Sequence, residues 1–163
     1  MQKLSKSVEV GLPHQEAFNA FVRELTLWWP KTYTWSKDKL IEIGINPIPG
    51  GHCTEIGPLD FRCDWGTVTE VKYGSYIAFK WQITASRAPE PDPDKASEVR
   101  IRFVPAGDSR SRIELEHDKF ENHGEGYETY RAAMDAEQGW DYMLACFEKH
   151  ARTAKRLTVE VKS

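Results

Sequence analysis

The most regular pattern along the chain is an apolar stripe in its last third, at 127–155. Apolar residues recur there every three or four positions, as they do on one face of an α-helix. The stripe consists of Tyr130, Ala133, Met134, Trp140, Met143, Leu144, Phe147, Ala151 and Ala154. Glutamates stand at its start and basic residues at its end, which suits the helix dipole. The pattern therefore predicts one long C-terminal helix over 127–155, about 40 Å long.

A glycine interrupts this stripe at Gly139, next to Trp140. Glycine inside a helix costs about 1 kcal/mol relative to alanine. The interpretation that we favour is a kink, or a close approach between the helix and a strand. The alternative is that the missing side chain leaves space for a ligand beside Trp140.

Alternating apolar and polar residues before the stripe predict antiparallel strands. Their ranges are 3–10, 39–45, 52–56, 61–72, 75–84, 97–104 and 111–118. The last two form the clearest hairpin, with its turn at 107–109. Its polar face predicts Arg102 opposite Glu114 and Arg100 opposite Glu116. A slip of one residue would bury these charges, so the pattern specifies the register.

Two short helices are predicted after the first strand. Pro13 suits the first turn of a helix, because its missing N–H has no helical partner there. The apolar residues that follow at helical spacing are Ala17, Phe18, Phe21, Val22 and Leu25. This helix should end by Trp29, because Pro30 disfavours helical geometry in the residue before it. Residues 27–30 then form a second short helical turn or a sharp corner.

This order of elements predicts a single α+β domain at 1–163. A curved antiparallel sheet of six to seven strands would wrap around the long C-terminal helix. Composition agrees, since 163 residues with 40% hydrophobic residues can bury a full core without disulfides or metal. Three cysteines (Cys53, Cys63 and Cys146) do not make a paired disulfide framework, so we expect free thiols.

Charge and hydropathy argue against two classes of partner. The formal net charge is -3, both signs are interspersed and no basic stripe is present, so nucleic acid is not expected to bind. The chain has no apolar run of signal-peptide type and no span of about 20 apolar residues. We therefore expect no membrane association and predict a soluble, cytoplasmic protein. Monomer and homodimer are left open.

An aromatic-rich interior is the main functional signal, since aromatic residues make up 12% of the chain and include six tryptophans. We predict a cavity for a small hydrophobic or aromatic molecule, lined by inward-facing positions. The predicted lining is Trp28, Phe79, Trp81, Ile101, Leu115, His117, Trp140 and Leu144. The alternative is that these side chains simply fill the core. Tyr33, Trp35 and Asp64 are rim candidates, and loop 87–95 is either an exposed connection or a flap over the cavity mouth.

No catalytic residue, metal or cofactor is predicted. His117 ends an apolar row, where a histidine is more often a satisfied core or rim residue than a catalyst. It would otherwise bond to a ligand or act as a general base. Potential metal ligands cluster twice, and neither cluster has the spacing of a structural zinc site. The clusters are His117 with Glu121 and His123, and His52 with Cys53 and Cys63.

Short aromatic motifs follow one another in a definite order. They are Phe18-Asn19-Ala20-Phe21, Leu27-Trp28-Trp29-Pro30, Trp65-Gly66-Thr67-Val68, Ile77-Ala78-Phe79-Lys80-Trp81 and Glu114-Leu115-Glu116-His117. Through them the chain resembles, over about residues 5–155, the Aha1-type branch of the START/SRPBCC superfamily. These are helix-grip proteins, described as homologues of the Hsp90 ATPase activator. The resemblance implies a cavity between the sheet and the C-terminal helix that binds small apolar or lipid-like molecules.

Three functions are compatible with these observations. Binding of a small hydrophobic molecule comes first, because the interior is aromatic and no catalytic motif is present. The second is a protein-interaction module whose partner is an Hsp90-like chaperone, which the resemblance alone implies. The third is a cyclase- or hydrolase-like enzyme acting on an aromatic substrate, supported only by His117 and scattered acids. We expect binding rather than catalysis.

Overall fold

The computed structural model describes residues 3–162, with side chains as far as residue 153. Its strands are β1 Leu4–Val10, β2 Glu42–Ile45, β3 His52–Ile56, β4 Arg62–Lys72, β5 Tyr76–Trp81, β6 Ser97–Pro105 and β7 Ser111–Asp118. They form one seven-stranded antiparallel sheet in the order β1-β7-β6-β5-β4-β3-β2. The predicted α+β helix-grip fold, with six to seven strands and two short helices after the first strand, is confirmed.

The register of the β6–β7 hairpin is the predicted one. Arg100 lies opposite Glu116 and Arg102 lies opposite Glu114. The closest ion pairs do not follow these opposite positions. Arg102 Nη1 lies 2.8 Å from the diagonal Glu116, and Arg100 Nη2 lies 3.1 Å from Glu98 on its own strand. Long side chains can reach diagonal neighbours across a sheet, so backbone register does not by itself determine the ion pairs.

Two predicted strands are shorter in the structure. The strand predicted at 39–45 begins only at Glu42, because a 3₁₀ turn occupies Lys37–Lys39. The strand predicted at 75–84 ends at Trp81, and Ile83 beyond it retains a single bridge to Pro89. The chain segment released from β5 is thereby free to form part of a cavity mouth.

The two short helices are α1 His14–Arg23 and α2 Leu25–Trp28. Extended backbone at Trp29 ends the second of them, directly before Pro30. Thr26 attaches α2 to the sheet edge, since its hydroxyl donates to the Ile43 carbonyl at 2.8 Å and accepts from the Ile43 N–H at 3.1 Å. The exposed edge of β2 is therefore partly satisfied by a side chain.

The predicted C-terminal helix is present, and it is divided where Gly139 interrupts the apolar stripe. Two helices, α3 Tyr127–Asp135 and α4 Tyr142–Lys162, are joined by a kink at Glu137–Asp141. The backbone leaves helical geometry at Gly139. A Cβ at that position would lie 2.2 Å from the Met134 carbonyl oxygen, so the kink needs a glycine. The interpretation of Gly139 as a kink is confirmed.

The core lies between the inner face of the sheet and the helices α1 and α4. Phe21 of α1 shows how the layers meet, because its ring contacts aromatic rings from three other elements. The ring centroids are 4.6 Å apart for Trp28, 5.6 Å for Phe103 and 4.9 Å for Phe147. Such tilted and edge-on pairs add to the stabilisation from apolar burial. This end of the interior is filled by side chains.

Candidate functional site

A cavity of about 570 Å³ opens at the other end of the interior, beside the kink. Its wall comes from the loop after α2, the inner faces of β2–β5, the turn after β5, and α3 with the kink. The lining residues are Trp29, Thr32, Tyr33, Thr34, Trp35, Lys37, Ile43, Glu55, Trp65, Trp81, Ile83, Thr84, Ala85, Arg87, Tyr130, Ala133, Met134, Gln138, Gly139 and Met143. The volume falls within the range of roughly 300–1,000 Å³ that is typical of small-molecule sites.

Three buried tryptophans form an aromatic cluster in the wall. The ring centroids of Trp29 and Trp65 are 5.5 Å apart, those of Trp29 and Trp81 are 6.2 Å apart, and those of Trp65 and Trp81 are 5.8 Å apart. The Trp81 indole donates to the Tyr130 hydroxyl, which donates to the Ile83 carbonyl, each over 2.7 Å. The buried Trp65 indole N–H has no acceptor among the described residues.

Burial also shapes the chemistry of Tyr130. Desolvation raises the pKa of its phenol to about 12, although the hydrogen bond from Trp81 and the positive charge of Arg87 act in the opposite direction. The phenol is therefore neutral at physiological pH. It acts as a hydrogen-bonded link between β5 and α3 rather than as a source of charge.

The mouth of the cavity is held by contacts among three separate segments. The Tyr33 hydroxyl donates to the Gln138 carbonyl of the kink at 2.6 Å. The Trp35 indole donates to the Arg87 carbonyl at 2.7 Å. The Arg87 guanidinium lies over the Tyr33 ring, 5.0 Å from its centroid. These three contacts connect the segments at the mouth, and one of them places a cationic side chain on an aromatic ring.

Glu55 on β3 anchors the loop that follows α2 at the mouth of the cavity. Its carboxylate is fully buried and accepts the main-chain N–H groups of Trp35 at 3.1 Å and Ser36 at 2.7 Å. Two main-chain donors on one carboxylate fix both its position and the course of the loop. Glu55 is the single carboxylate among the described residues of the wall.

Of the eight residues predicted to line the cavity, Trp81 does so. The other seven are buried elsewhere in the core: Trp28, Phe79, Ile101, Leu115, His117, Trp140 and Leu144. Trp28 lies in the filled end, where its indole donates to the Phe21 carbonyl at 3.0 Å. Trp140 is one layer behind the wall, with its ring centroid 5.3 Å from that of Trp81. These residues are buried, as predicted, but the cavity of about 570 Å³ lies beyond them, at the end of the interior beside the kink.

His117 belongs to a buried hydrogen-bond network behind the cavity. Its Nδ1 accepts from the Trp140 indole at 3.0 Å, so its Nε2 carries the proton and donates to Ser97 Oγ at 2.7 Å. The Ser97 hydroxyl then donates to His123 Nε2 at 2.7 Å. Burial lowers the pKa of His117 well below its usual value, and His123 adds to this effect. With both ring nitrogens bonded in the core, the imidazole has no free position for a substrate.

Two of the three rim candidates, Tyr33 and Trp35, are at the mouth, whereas Asp64 is exposed outside the wall and accepts from Thr54 Oγ1 at 2.7 Å. Only Arg87 of loop 87–95 borders the cavity. The rest of that loop runs beside β5, where the Gln82 side chain donates to the Glu90 carbonyl at 3.0 Å.

Several wall residues were not assigned to a site from the sequence. Tyr130 and Met134 belong to the predicted apolar stripe, and both line the cavity. Trp65 shares the buried face of β4 with Cys63, and both alternate with exposed polar residues, so the sequence pattern indicates its inward direction. Trp29 gave no such signal, because it follows the last turn of α2 in extended backbone.

Neither a metal site nor a membrane span stands out in the described part of the chain. Within it, no three His, Cys, Asp or Glu side chains are grouped closely enough to hold an ion. No helix within 3–162 is both long and apolar enough to cross a bilayer. The three cysteines are free, and burial raises the pKa of Cys63 to about 11.

Comparisons with known proteins agree on this fold. The anthrahydroquino-γ-pyrone synthase Txn09 is 28% identical, with a TM-score of 0.65 over 91% of this chain and 96% of its own. CalC, a self-sacrificing resistance protein from Micromonospora echinospora, is 23% identical, with a TM-score of 0.64 over 93% and 95% of the two chains. NE0264 from Nitrosomonas europaea is 17% identical, with a TM-score of 0.62 over 94% and 96%. The last two show the fold alone.

No curated protein matches the chain. The family described as "Activator of Hsp90 ATPase homolog 1-like protein" matches residues 12–152, which is most of the sequence. The fold is of a ligand-binding type, and the resemblance noted in the short aromatic motifs is confirmed. The chain therefore belongs to the activator of Hsp90 ATPase homolog 1-like family.

Proposed function

We propose that this protein binds a planar aromatic small molecule in the cavity beside the kink. The observation that carries this proposal is a cavity of about 570 Å³ whose wall contains the clustered rings of Trp29, Trp65 and Trp81. Flat aromatic ligands stack on such rings and displace water from apolar surface. The ligand class is the one predicted from the sequence, but the proposed contact residues are those at the end of the interior where the cavity lies.

The relative Txn09 supports the aromatic character of the ligand. Its name is that of an anthrahydroquino-γ-pyrone synthase, and such a product is a set of fused flat rings. The 28% identity over 91% of this chain supports a similar ligand class for this cavity. The identity of the ligand itself is a separate question that a binding screen addresses.

The test is a titration with anthraquinone-2-carboxamide, a neutral flat probe, followed by quenching of tryptophan fluorescence. We expect saturable binding and a rise in melting temperature, because a ligand that binds only the folded state stabilises it by about 2.7 kcal/mol at 100 times its Kd. Ala133→Trp should abolish binding, since Ala133 lies on the wall of the cavity. Ala132→Trp is the matched control, because Ala132 is an exposed neighbour on α3 that does not line it.

Two results would contradict the proposal. One is equal loss of binding in both alanine variants, which would indicate damage to α3 rather than a filled cavity. The other is tight binding of an aliphatic fatty acid with no affinity for the flat probe. The cavity would then serve a lipid-like ligand, and stacking on the tryptophans would not be its basis.

Catalysis on such a ligand is a second candidate, favoured by the likeness to a synthase. Closure of an ortho-hydroxyaryl 1,3-diketone to a γ-pyrone joins the phenol oxygen to a carbonyl carbon and releases one water. Acceleration of this closure by the protein, and its loss in Ala133→Trp, would establish an enzyme. We expect binding without turnover, because His117 is bonded at both ring nitrogens and does not line the cavity.

A chaperone partner and a cytoplasmic location stay predictions from the sequence. The family description names an activator of Hsp90 ATPase, and that name is the sole support for the partner. A pull-down with purified Hsp90 and an ATPase assay would decide the matter. Absence of binding at micromolar concentrations would remove this candidate without affecting the cavity.

A further inference from the structure

The charges in the cavity wall differ from those of the whole chain. Two basic residues, Lys37 and Arg87, line the cavity together with one acidic residue, Glu55. The chain as a whole has a formal net charge of -3. A cavity that bound only neutral hydrocarbon would gain nothing from cations at its mouth, because charged groups must be partly desolvated when an apolar ligand enters.

Arg87 is held in place at both its backbone and its side chain. Its φ of 66° is in the left-handed region, which non-glycine residues adopt only where the surroundings require it. The Arg87 N–H donates to the Thr84 carbonyl at 2.9 Å, and the Arg87 carbonyl accepts the indole N–H of Trp35. The guanidinium lies over the Tyr33 ring. The side chain is therefore oriented at the mouth before any ligand arrives.

Neither cation has an acidic partner among the residues whose side chains the structure describes. Within the described part of the chain, no carboxylate forms an ion pair with Arg87 or Lys37. The buried carboxylate of Glu55 is bonded to two main-chain N–H groups rather than to either cation. With two basic residues and one acidic residue, the wall keeps a formal excess of one positive charge. An oxyanion that entered the mouth would find donors that are already oriented and not yet paired.

We propose that the ligand is an acidic planar aromatic, one that carries a carboxylate or an ionised phenol, and that Arg87 determines this specificity. The proposal rests on the aromatic-binding function above and adds the charge of the ligand to it. A guanidinium offers two parallel N–H donors to an oxyanion, a geometry that an ammonium does not reproduce. Lys37, a flexible point charge, contributes less. The flat rings lie against the tryptophans while the acidic group lies at the mouth.

The experiment compares anthraquinone-2-carboxylate with anthraquinone-2-carboxamide, which differ in charge and little in shape. We expect the carboxylate to bind the wild-type protein about tenfold more tightly. Arg87→Gln should remove this preference, so that the Kd values of the two probes differ by less than about twofold. Arg87→Lys should retain part of it, and Lys37→Gln should lower it less than Arg87→Gln does. Arg110→Gln is the control, because Arg110 is exposed and does not line the cavity.

The outcomes separate this inference from the function on which it rests. Equal affinity of the wild-type protein for both probes would overturn the acidic ligand and leave aromatic binding intact. An equal loss for both probes in Arg87→Gln would show that Arg87 only supports the shape of the mouth, and would also overturn the inference. Absence of binding by either probe would reject aromatic binding itself.

Discussion

Gly139 lies where the backbone of the kink comes closest to the backbone of α3. A Cβ there would be 2.2 Å from the Met134 oxygen and 2.7 Å from the Ala133 oxygen. These are main-chain atoms, so they cannot move aside as a flexible side chain would. Met134 and Gly139 both line the cavity. The absence of a side chain at Gly139 therefore allows the kink that forms part of the cavity wall.

Gly139→Ala should destabilise the protein by roughly 1–3 kcal/mol, the usual cost of forcing extra volume into a packed site. The affinity for the flat aromatic probe should fall as well, because the kink would have to open. Urea unfolding and fluorescence titration measure the two effects. Gly44→Ala is the control, since the nearest atom to its new Cβ is Glu42 Oε1 at 4.0 Å. A Gly139→Ala protein as stable as this control would contradict the steric argument.

At the scale of whole elements, the hydrophobic pattern was sufficient to predict the sheet, the short helices and the position of the last helix. The charged face of the β6–β7 hairpin even specified its register, because a slip would bury Arg100 and Arg102. Periodicity reports which face of an element is buried. It does not show at which point along the buried face the packing leaves a cavity. For this reason, seven of the eight residues predicted to line the cavity are buried in the core and do not line it.

Hydrophobic periodicity is also insufficient to predict the backbone of the kink in the C-terminal helix. The apolar stripe continues with helical spacing through Gly139, so the sequence predicts the interruption of the helix but not the path of the backbone through it. At the break, the backbone of Gly139 lies close to the backbone of Met134 and Ala133. The helix propensities of single residues do not describe such a backbone contact. Loop residues such as Tyr33 and Arg87 are harder still, because tertiary contacts alone place them at the mouth.

The contact between α2 and the β2 edge leads to a second prediction. Thr26→Val keeps the shape of the side chain but removes the two hydrogen bonds to Ile43. Leaving a partly buried donor and acceptor unpaired costs about 1–3 kcal/mol. Urea unfolding should show this loss, and amide hydrogen exchange at Ile43 should become faster. Thr69→Val is the control, since Thr69 is exposed and has one longer bond, 3.3 Å to the Ala78 carbonyl.

At the scale of the whole molecule, the network behind the cavity joins parts that are far apart in the sequence. Trp140 lies in the kink, His117 is on β7, Ser97 begins β6, and His123 lies in a turn before α3. Phe120 stacks on His117 with ring centroids 4.1 Å apart. Because this network is built on neutral imidazoles, its integrity depends on pH. A buried network of this kind also favours one packing of the interior over others.

Folding stability should therefore fall as pH decreases below about 6.5, the ordinary pKa of histidine. Burial lowers the pKa of both His117 and His123 in the folded state, so the unfolded chain binds more protons in this window. The loss continues until pH reaches each folded-state pKa, with a slope approaching about 1.4 kcal/mol per pH unit for each histidine. The carboxylates with lowered pKa values, such as Glu98 and Glu116, contribute only at lower pH.

Urea unfolding between pH 7 and pH 5 measures this slope. His123→Gln should reduce it, because glutamine keeps an acceptor for the Ser97 N–H and hydroxyl but does not titrate. His52→Gln, at an exposed position on β3, should leave it unchanged. A slope that is the same in His123→Gln as in the wild-type protein would mean that His123 is not part of the effect. Stability that rises toward pH 5 would show that the imidazoles are charged in the fold, contrary to their burial behind the cavity.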